Sequence, residues 1–218
     1  MGVKAGPRIV QNGLILDVDA AVSRSYSGSG LTANGLVGGI GGTLINGVGY
    51  GTANNGHFIF DGTNDQIQIS QIGSALLSGS QDFTISAWVQ SSGGTGTIFA
   101  NYLAGNLQVL YSPSYIGLWL NGAVAYANTA TYYSANIVNL VAQRSSGTNI
   151  TIYLNGQVIK TGTSNSTIGT TLDFRIGANT ANGELFQGKL YNIQVYNRAL
   201  TAQEIRQNYN ATKKRYGL

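Results

Sequence analysis

Residues 188–205 read GKLYNIQVYNRALTAQEI, and this stretch decides the architecture. Leu190, Asn192 and Gln194 alternate with Tyr191, Ile193 and Val195, the period-two pattern of a strand whose two faces meet different surroundings. Arg198-Ala199-Leu200 then leads to Thr201, an N-cap residue, with Glu204 three positions on to complete a capping box. Ile205 and Tyr209, four apart, share one face of a helix about two turns long. A terminal helix this short should pack on the edge of whatever the strands build. TKKRYGL (212–218) is left as an arm, free or docked on a neighbour.

Working outward, short apolar runs bounded by Gly, Asn or Ser recur along the chain at the spacing of a sandwich or barrel. Residues 149–160 read NITIYLNGQVIK, two alternating runs around Asn155-Gly156, and Asn121-Gly122 sits in a second such pattern; both predict antiparallel hairpins. DFTISAWVQ places Phe83, Ile85, Ala87 and Val89 on one face. Trp88, on the other face with Thr84, Ser86 and Gln90, requires cover from a loop or a partner. HFIFDGTNDQIQI reads as strand, turn, strand, with the turn at Asp61 to Asp65. LILDV (14–18) opens the series, and residues 27–55 read as a long Gly-rich loop with one short strand. The fold class is therefore all-β: a two-sheet antiparallel β-sandwich with a short C-terminal helix.

Composition narrows the setting. Charged residues make up 9% of the 218 positions, against roughly 25% in an average globular protein, so Gly, Ser, Thr, Asn and Gln must cover the surface. Such a surface suits secreted, cell-surface or virion proteins. The chain has no cysteine, which excludes disulfides and thiolate metal sites. The N-terminal residues show no apolar core followed by a small-residue cleavage site, and no run approaches the length of a membrane span. A soluble protein without membrane insertion is expected, reaching an extracellular position by another route such as release in an assembled particle. The net charge of +4 comes from the end of the chain, where Arg198, Arg206, Lys213, Lys214 and Arg215 face Glu204 alone. One short basic tail is not a basic face with interleaved aromatics, which argues against nucleic acid as a partner.

The order FDGTNDQIQI, DFTISAWV, YLNGQVI, FQGKLYNIQVYNRALTAQEI resembles the laminin G-like, or concanavalin A-like, jelly-roll domain over roughly residues 12–210. Residues 188–205 are similar to that family's G-x-I-D-x-x-x-I-Y-x-R-A-L-S-x-x-E-I ending. The resemblance implies a concanavalin A-like jelly roll over 12–210, an N-terminal arm at 1–11 and a basic C-terminal tail at 211–218. It further implies binding of glycans or proteins, through calcium in some members, or a structural role in surface or virion proteins. IRQNYNATKKRYGL (205–218) also resembles the ends of jelly-roll proteins in tailed-phage particles. Tyr191-Asn192 stands where the family often has an acidic pair, and SGSGLTANGLVGG (27–39) replaces an acidic D-x-S-G-x-G-N stretch; both departures argue against calcium.

Catalytic chemistry lacks its residues. A glycosidase needs two carboxyl groups about 5–10 Å apart, yet the chain has two Glu, one in a Gly-Asn loop and one in the capping box. Asp17 and Asp19 are the one i, i+2 carboxylate pair, more simply read as solvated or capping a turn. His57 is the single histidine, without a G-x-S-x-G elbow or further zinc ligands. Asp61 and Asp65 could offer oxygens to calcium, but a turn this short more simply caps its own amides. No cofactor and no enzyme activity are expected.

The chain carries 13 Tyr, a residue suited to interfaces and sugar stacking. Tyr102, Tyr111, Tyr115, Tyr132 and Tyr133, with Trp119, are the expected ligand-binding group. Lys213, Lys214, Arg215 and Tyr216 are the expected assembly residues. The leading reading is a non-catalytic virion or decoration module whose partners are other virion proteins and a glycan ligand. The alternative is a lectin-like domain of a non-viral, extracellular or cell-surface protein. Low charge and exposed aromatics favour a homo-oligomer without fixing its symmetry.

Overall fold

The computed structural model describes residues 8–70, 77, 81–101, 107–113, 115–120, 123–128, 135–168, 173–179 and 184–218. The strands run in chain order β1 (Leu14–Asp19), β2 (Thr32–Asn34), β3 (Gly41–Ile45), β4 (Gly49–Gly51), β5 (His57–Asp61), β6 (Gln66–Ser70), β7 (Phe83–Gly93) and β8 (Gly96–Asn101). They continue as β9 (Leu107–Tyr111), β10 (Tyr115–Leu120), β11 (Ala123–Asn128), β12 (Val138–Ser145), β13 (Asn149–Leu154), β14 (Gln157–Thr163), β15 (Asp173–Ile176) and β16 (Gln187–Tyr196). Helix α1 (Ala202–Thr212) follows, and Lys213–Tyr216 extends it as a 3-10 turn.

Two antiparallel sheets of eight strands face each other. Sheet A has the order β14-β13-β12-β7-β16-β5-β4, with β1 also on β16; sheet B has the order β11-β10-β9-β8-β15-β6-β3-β2. One edge of β16 is shared, since residues 187–190 pair with β5 and residues 192–196 with β1. Between the sheets lies one core, in which Phe58, Phe60, Phe83, Phe99, Phe174 and Phe186 are all buried. Asn155-Gly156 makes the expected hairpin turn, both residues at positive φ (51° and 76°) as a type I′ turn requires. Asn121-Gly122 lies outside the described residues.

Several expectations change. The stretch 27–55 is not a loop with one strand but contributes β2, β3 and β4; β2 pairs with β3, while β3 and β4 pair with β6 and β5 later in the chain. The Asp61–Asp65 turn joins two strands as read, and it carries the chain from sheet A to sheet B. Its carboxylates cap the turn, Asp65 Oδ2 accepting from Asp61 N and Asp61 Oδ1 from Thr63 N. In β16 a bulge between Leu190 and Asn192 breaks the alternation. Leu190 therefore joins Ile193 and Val195 in the core, while Tyr191 turns outward to meet Trp88 and Tyr216.

The largest correction concerns the C-terminus. Helix α1 has 11 residues and packs on the outer face of sheet A, where Ile205 meets Val141, Tyr153, Tyr196 and Leu200. The capping box forms as read, with Thr201 and Glu204 each accepting from the other's backbone N–H. The expected arm is neither free nor docked on a neighbour, because Tyr216 is buried against Trp88 and Tyr191. Arg215 Nη1 donates to both carboxylate oxygens of Asp19 at 2.8 Å. Trp88 thus receives its cover from its own chain: Tyr209 stacks on it and its Nε1 donates to Thr212 Oγ1 at 2.9 Å. Residues 8–10 of the expected N-terminal arm also lie against α1, where Val10 N donates to Asn208 Oδ1 and Arg8 O accepts from Gln207.

Beneath α1 and its flanks the outer face of sheet A carries a buried polar layer. Thr84 Oγ1 donates to Arg198 O and accepts from Leu200 N and Gln143 Nε2, while Asn139 Nδ2 donates to Ser86 Oγ. Asp17 belongs to this layer rather than to solvent and accepts from Asn192 Nδ2 at 2.8 Å. Asp19 caps Ala21 N and pairs with Arg215.

Candidate functional site

The C-terminal segment covers part of the outer face of sheet A, and on the outer face of sheet B the half-buried Tyr115, Trp119 and Gln108 stand around the buried Thr97, Ala100 and Leu110. Strand register sets what it presents. On β10, Ile116, Leu118 and Leu120 enter the core, so Tyr115, Gly117 and Trp119 face outward. Tyr115 and Trp119 stand roughly 13 Å apart along the strand, with the side-chain-free Gly117 between them. Across the strands Trp119 pairs with Gln108, Gln108 with Ala100, Ala100 with Arg175, Arg175 with Gln68 and Gln68 with Thr43. This row joins a half-buried indole, two primary amides and a guanidinium, interrupted at Ala100, which is buried.

Next to the indole lies a polar network. Gln108 Nε2 donates to Thr97 Oγ1 at 2.6 Å and to the Glu184 carboxylate. Asn179 Nδ2 donates to the same Glu184 oxygen at 3.2 Å. The Tyr115 hydroxyl interacts with Glu184 and Thr95; its pKa is raised, by partial burial first and then by the Glu184 charge. Glu184 itself is exposed and sits at φ 49°, a left-handed conformation that a non-glycine residue adopts at an energetic cost. Its carbonyl accepts from Thr97 N at 2.8 Å, which anchors this loop residue to β8.

The expected ligand-binding group divides. Trp119 and Tyr115 are on this face, whereas Tyr111 is fully buried in the core and drops out of the set. Its direction follows from LQVLY, where Leu107, Val109 and Tyr111 alternate inward. Tyr102, Tyr132 and Tyr133 lie outside the described residues. Of the expected assembly residues, Lys214 is exposed and Lys213 lies with its Nζ 5.3 Å from the Tyr209 ring, while Arg215 and Tyr216 are engaged inward. Sequence reasoning missed Gln108 and Asn179, and placed Glu184 in a loop without a function. Only the outward register of Gln108 beside Trp119 was there to be read.

A concavity of about 370 Å³ runs along β13 and β14 between Asn149, Thr151, Thr161 and Thr163. It has neither an aromatic nor a charged side chain in its lining. Among the described residues no group of three or more His, Cys, Asp or Glu could hold a metal ion, and no helix is long and apolar enough to cross a membrane.

The family model Laminin_G_3, described as the Concanavalin A-like lectin/glucanases superfamily, matches residues 61–206. The chain belongs to this superfamily. No curated protein matches its sequence significantly. As a concanavalin A-like domain it is similar in fold to domain 4 of AbnA, a GH43 extracellular arabinanase from Geobacillus stearothermophilus, solved in complex with arabinotriose. That likeness has a TM-score of 0.71 at 17% identity and covers 92% of this chain and 100% of that one. The botulinum neurotoxin serotype G binding domain is similar with a TM-score of 0.68 at 17% identity over 90% of this chain; the chain spans 50% of that domain's length. A Trypanosoma rangeli sialidase is similar with a TM-score of 0.69 at 17% identity, covering 96% of this chain and 35% of the sialidase. At these identities the likeness is one of fold, shared by binding domains and by an enzyme alike.

Proposed function

We propose that this chain is a non-catalytic carbohydrate-binding module that receives its ligand on the outer face of sheet B and is displayed on a virus particle or another extracellular surface. The observation that carries the reading is Trp119, outward on β10 beside the Gln108–Glu184 network. A saccharide presents an apolar C–H face to stack on an aromatic ring and a rim of hydroxyls for amides and carboxylates, and this row offers both. The lectin half of the superfamily agrees with it, as does the fold shared with an arabinanase domain that was solved in complex with arabinotriose.

Support for a module without hydrolytic activity comes from six carboxylates that are engaged elsewhere in the fold. Asp17 and Asp19 lie under or beside the C-terminal segment, Asp61 and Asp65 cap their turn, Asp82 accepts from Ser146 N and Gly147 N, and Glu204 pairs with Arg198. Hydrolysis by a carboxyl pair would need a second such group facing the ligand beside Glu184. The virion setting is supported by the resemblance of residues 205–218 to phage jelly-roll proteins, and Lys213 and Lys214 are the residues of that segment offered for attachment.

A panel of immobilised oligosaccharides tests the reading. The chain should bind a subset, and Trp119→Ala should weaken that binding at least tenfold, about 1.4 kcal/mol, with its melting temperature preserved. A folded chain that binds no saccharide, or binding indifferent to Trp119→Ala, overturns it.

A further inference from the structure

We infer that Glu184 makes the site selective for neutral, hydroxyl-rich saccharides over those carrying uronic or sialic acid. This inference rests on the carbohydrate-binding reading and assigns a specificity-determining residue within it. Gln108, Asn179 and Tyr115 all point hydrogen-bond donors at one carboxylate, and none of the three carries a compensating positive charge. Among the described residues the ion pairs are Arg198–Glu204 and Arg215–Asp19, and neither involves Glu184. The carboxylate therefore stands at an exposed position beside Gln108 without a cationic partner in either ion pair.

The backbone shows that this placement is enforced. Glu184 sits at φ 49° with its carbonyl tied to Thr97 N and its side chain to Gln108, and these contacts fix the carboxylate beside β9. Each carboxylate oxygen has two acceptor sites, so one remains beyond the three donors already present. A neutral sugar stacked on Trp119 can fill it with one hydroxyl, forming a charge-assisted hydrogen bond. A sugar carboxylate placed there would meet a like charge with no proton to share, and juxtaposed like charges discriminate strongly.

The test measures affinities of the full chain, Glu184→Gln and Trp119→Ala for matched neutral and acidic oligosaccharides at low ionic strength. The full chain should bind neutral ligands at least tenfold more tightly than their uronic or sialic acid counterparts. Glu184→Gln, which keeps the size but removes the charge, should narrow that ratio to about threefold or less, and added salt should narrow it in the full chain as well. Acidic ligands bound as tightly as neutral ones and lost in Trp119→Ala would overturn the selectivity while leaving the carbohydrate-binding reading intact. Absence of any saccharide binding removes both.

Discussion

Replacing Trp88 with alanine should lower the unfolding free energy by about 4 kcal/mol, within the range for deleting a buried tryptophan side chain. Trp88 is 2% exposed and forms the contact between the central strand of sheet A and the C-terminal segment. Its ring centroid lies 4.3 Å from that of Tyr216 and 5.6 Å from that of Tyr209. Truncation also leaves Thr212 Oγ1 without the indole N–H it accepts from. Loss of this anchor should loosen α1, so limited trypsin digestion should cleave at Lys213 and Lys214 well before it cuts the sandwich. Urea unfolding and timed proteolysis check both halves. A cost under about 1 kcal/mol with an intact C-terminus would mean that the Ile205 cluster and the Arg215–Asp19 pair hold the segment without Trp88.

The second large effect has the opposite sign. Burial raises the Asp17 pKa to about 6, against the lowering contributed by the Asn192 hydrogen bond, and the neighbouring Asp19 charge raises it further. A carboxyl group with a folded pKa above its unfolded value binds more protons when folded. Its ionisation therefore costs stability as pH rises through the interval between the two values, about 3 kcal/mol in all by pH 8. Asp17→Asn removes that cost and keeps an oxygen for Asn192. The variant should be more stable than the parent by about 2 kcal/mol at pH 8, with little difference near pH 4. The parent should be level from pH 8 to about 7 and gain stability from there down to about pH 4. It should lose stability further down as Glu204, whose pKa Arg198 holds down at about 2, takes up protons. Chemical denaturation at several pH values decides it; a variant less stable than the parent at pH 8 would show that the Asp17 charge is favourable in place.

Local patterns were legible in the sequence where they rest on neighbours along the chain. The Asn155-Gly156 turn, the Thr201–Glu204 capping box and the alternations in β5, β7 and β10 depend on residues a few positions apart, and the structure follows them. Pairings across the chain were not legible. Trp88 announced a missing cover, but the sequence could not say that Tyr209 and Tyr216, more than 120 residues later, supply it. The bulge at Leu190 reverses Tyr191 because β16 must serve β5, β1 and β7 at once, a demand absent from the strand's own residues. The glycines of residues 27–55 hide three strands, since they supply few side chains from which a periodicity can be read. In the candidate site Trp119 was named from composition, whereas Glu184 reaches Gln108 from a loop 76 residues away.

Mapping a bound oligosaccharide by amide and indole NMR shifts on the labelled chain tests the central claim most directly. The account predicts perturbations centred on Trp119, Gln108, Tyr115 and Glu184, spreading across β8 and β15, with the β13–β14 groove silent. Shifts confined to Asn149, Thr151, Thr161 and Thr163, or to the face covered by α1, would contradict it.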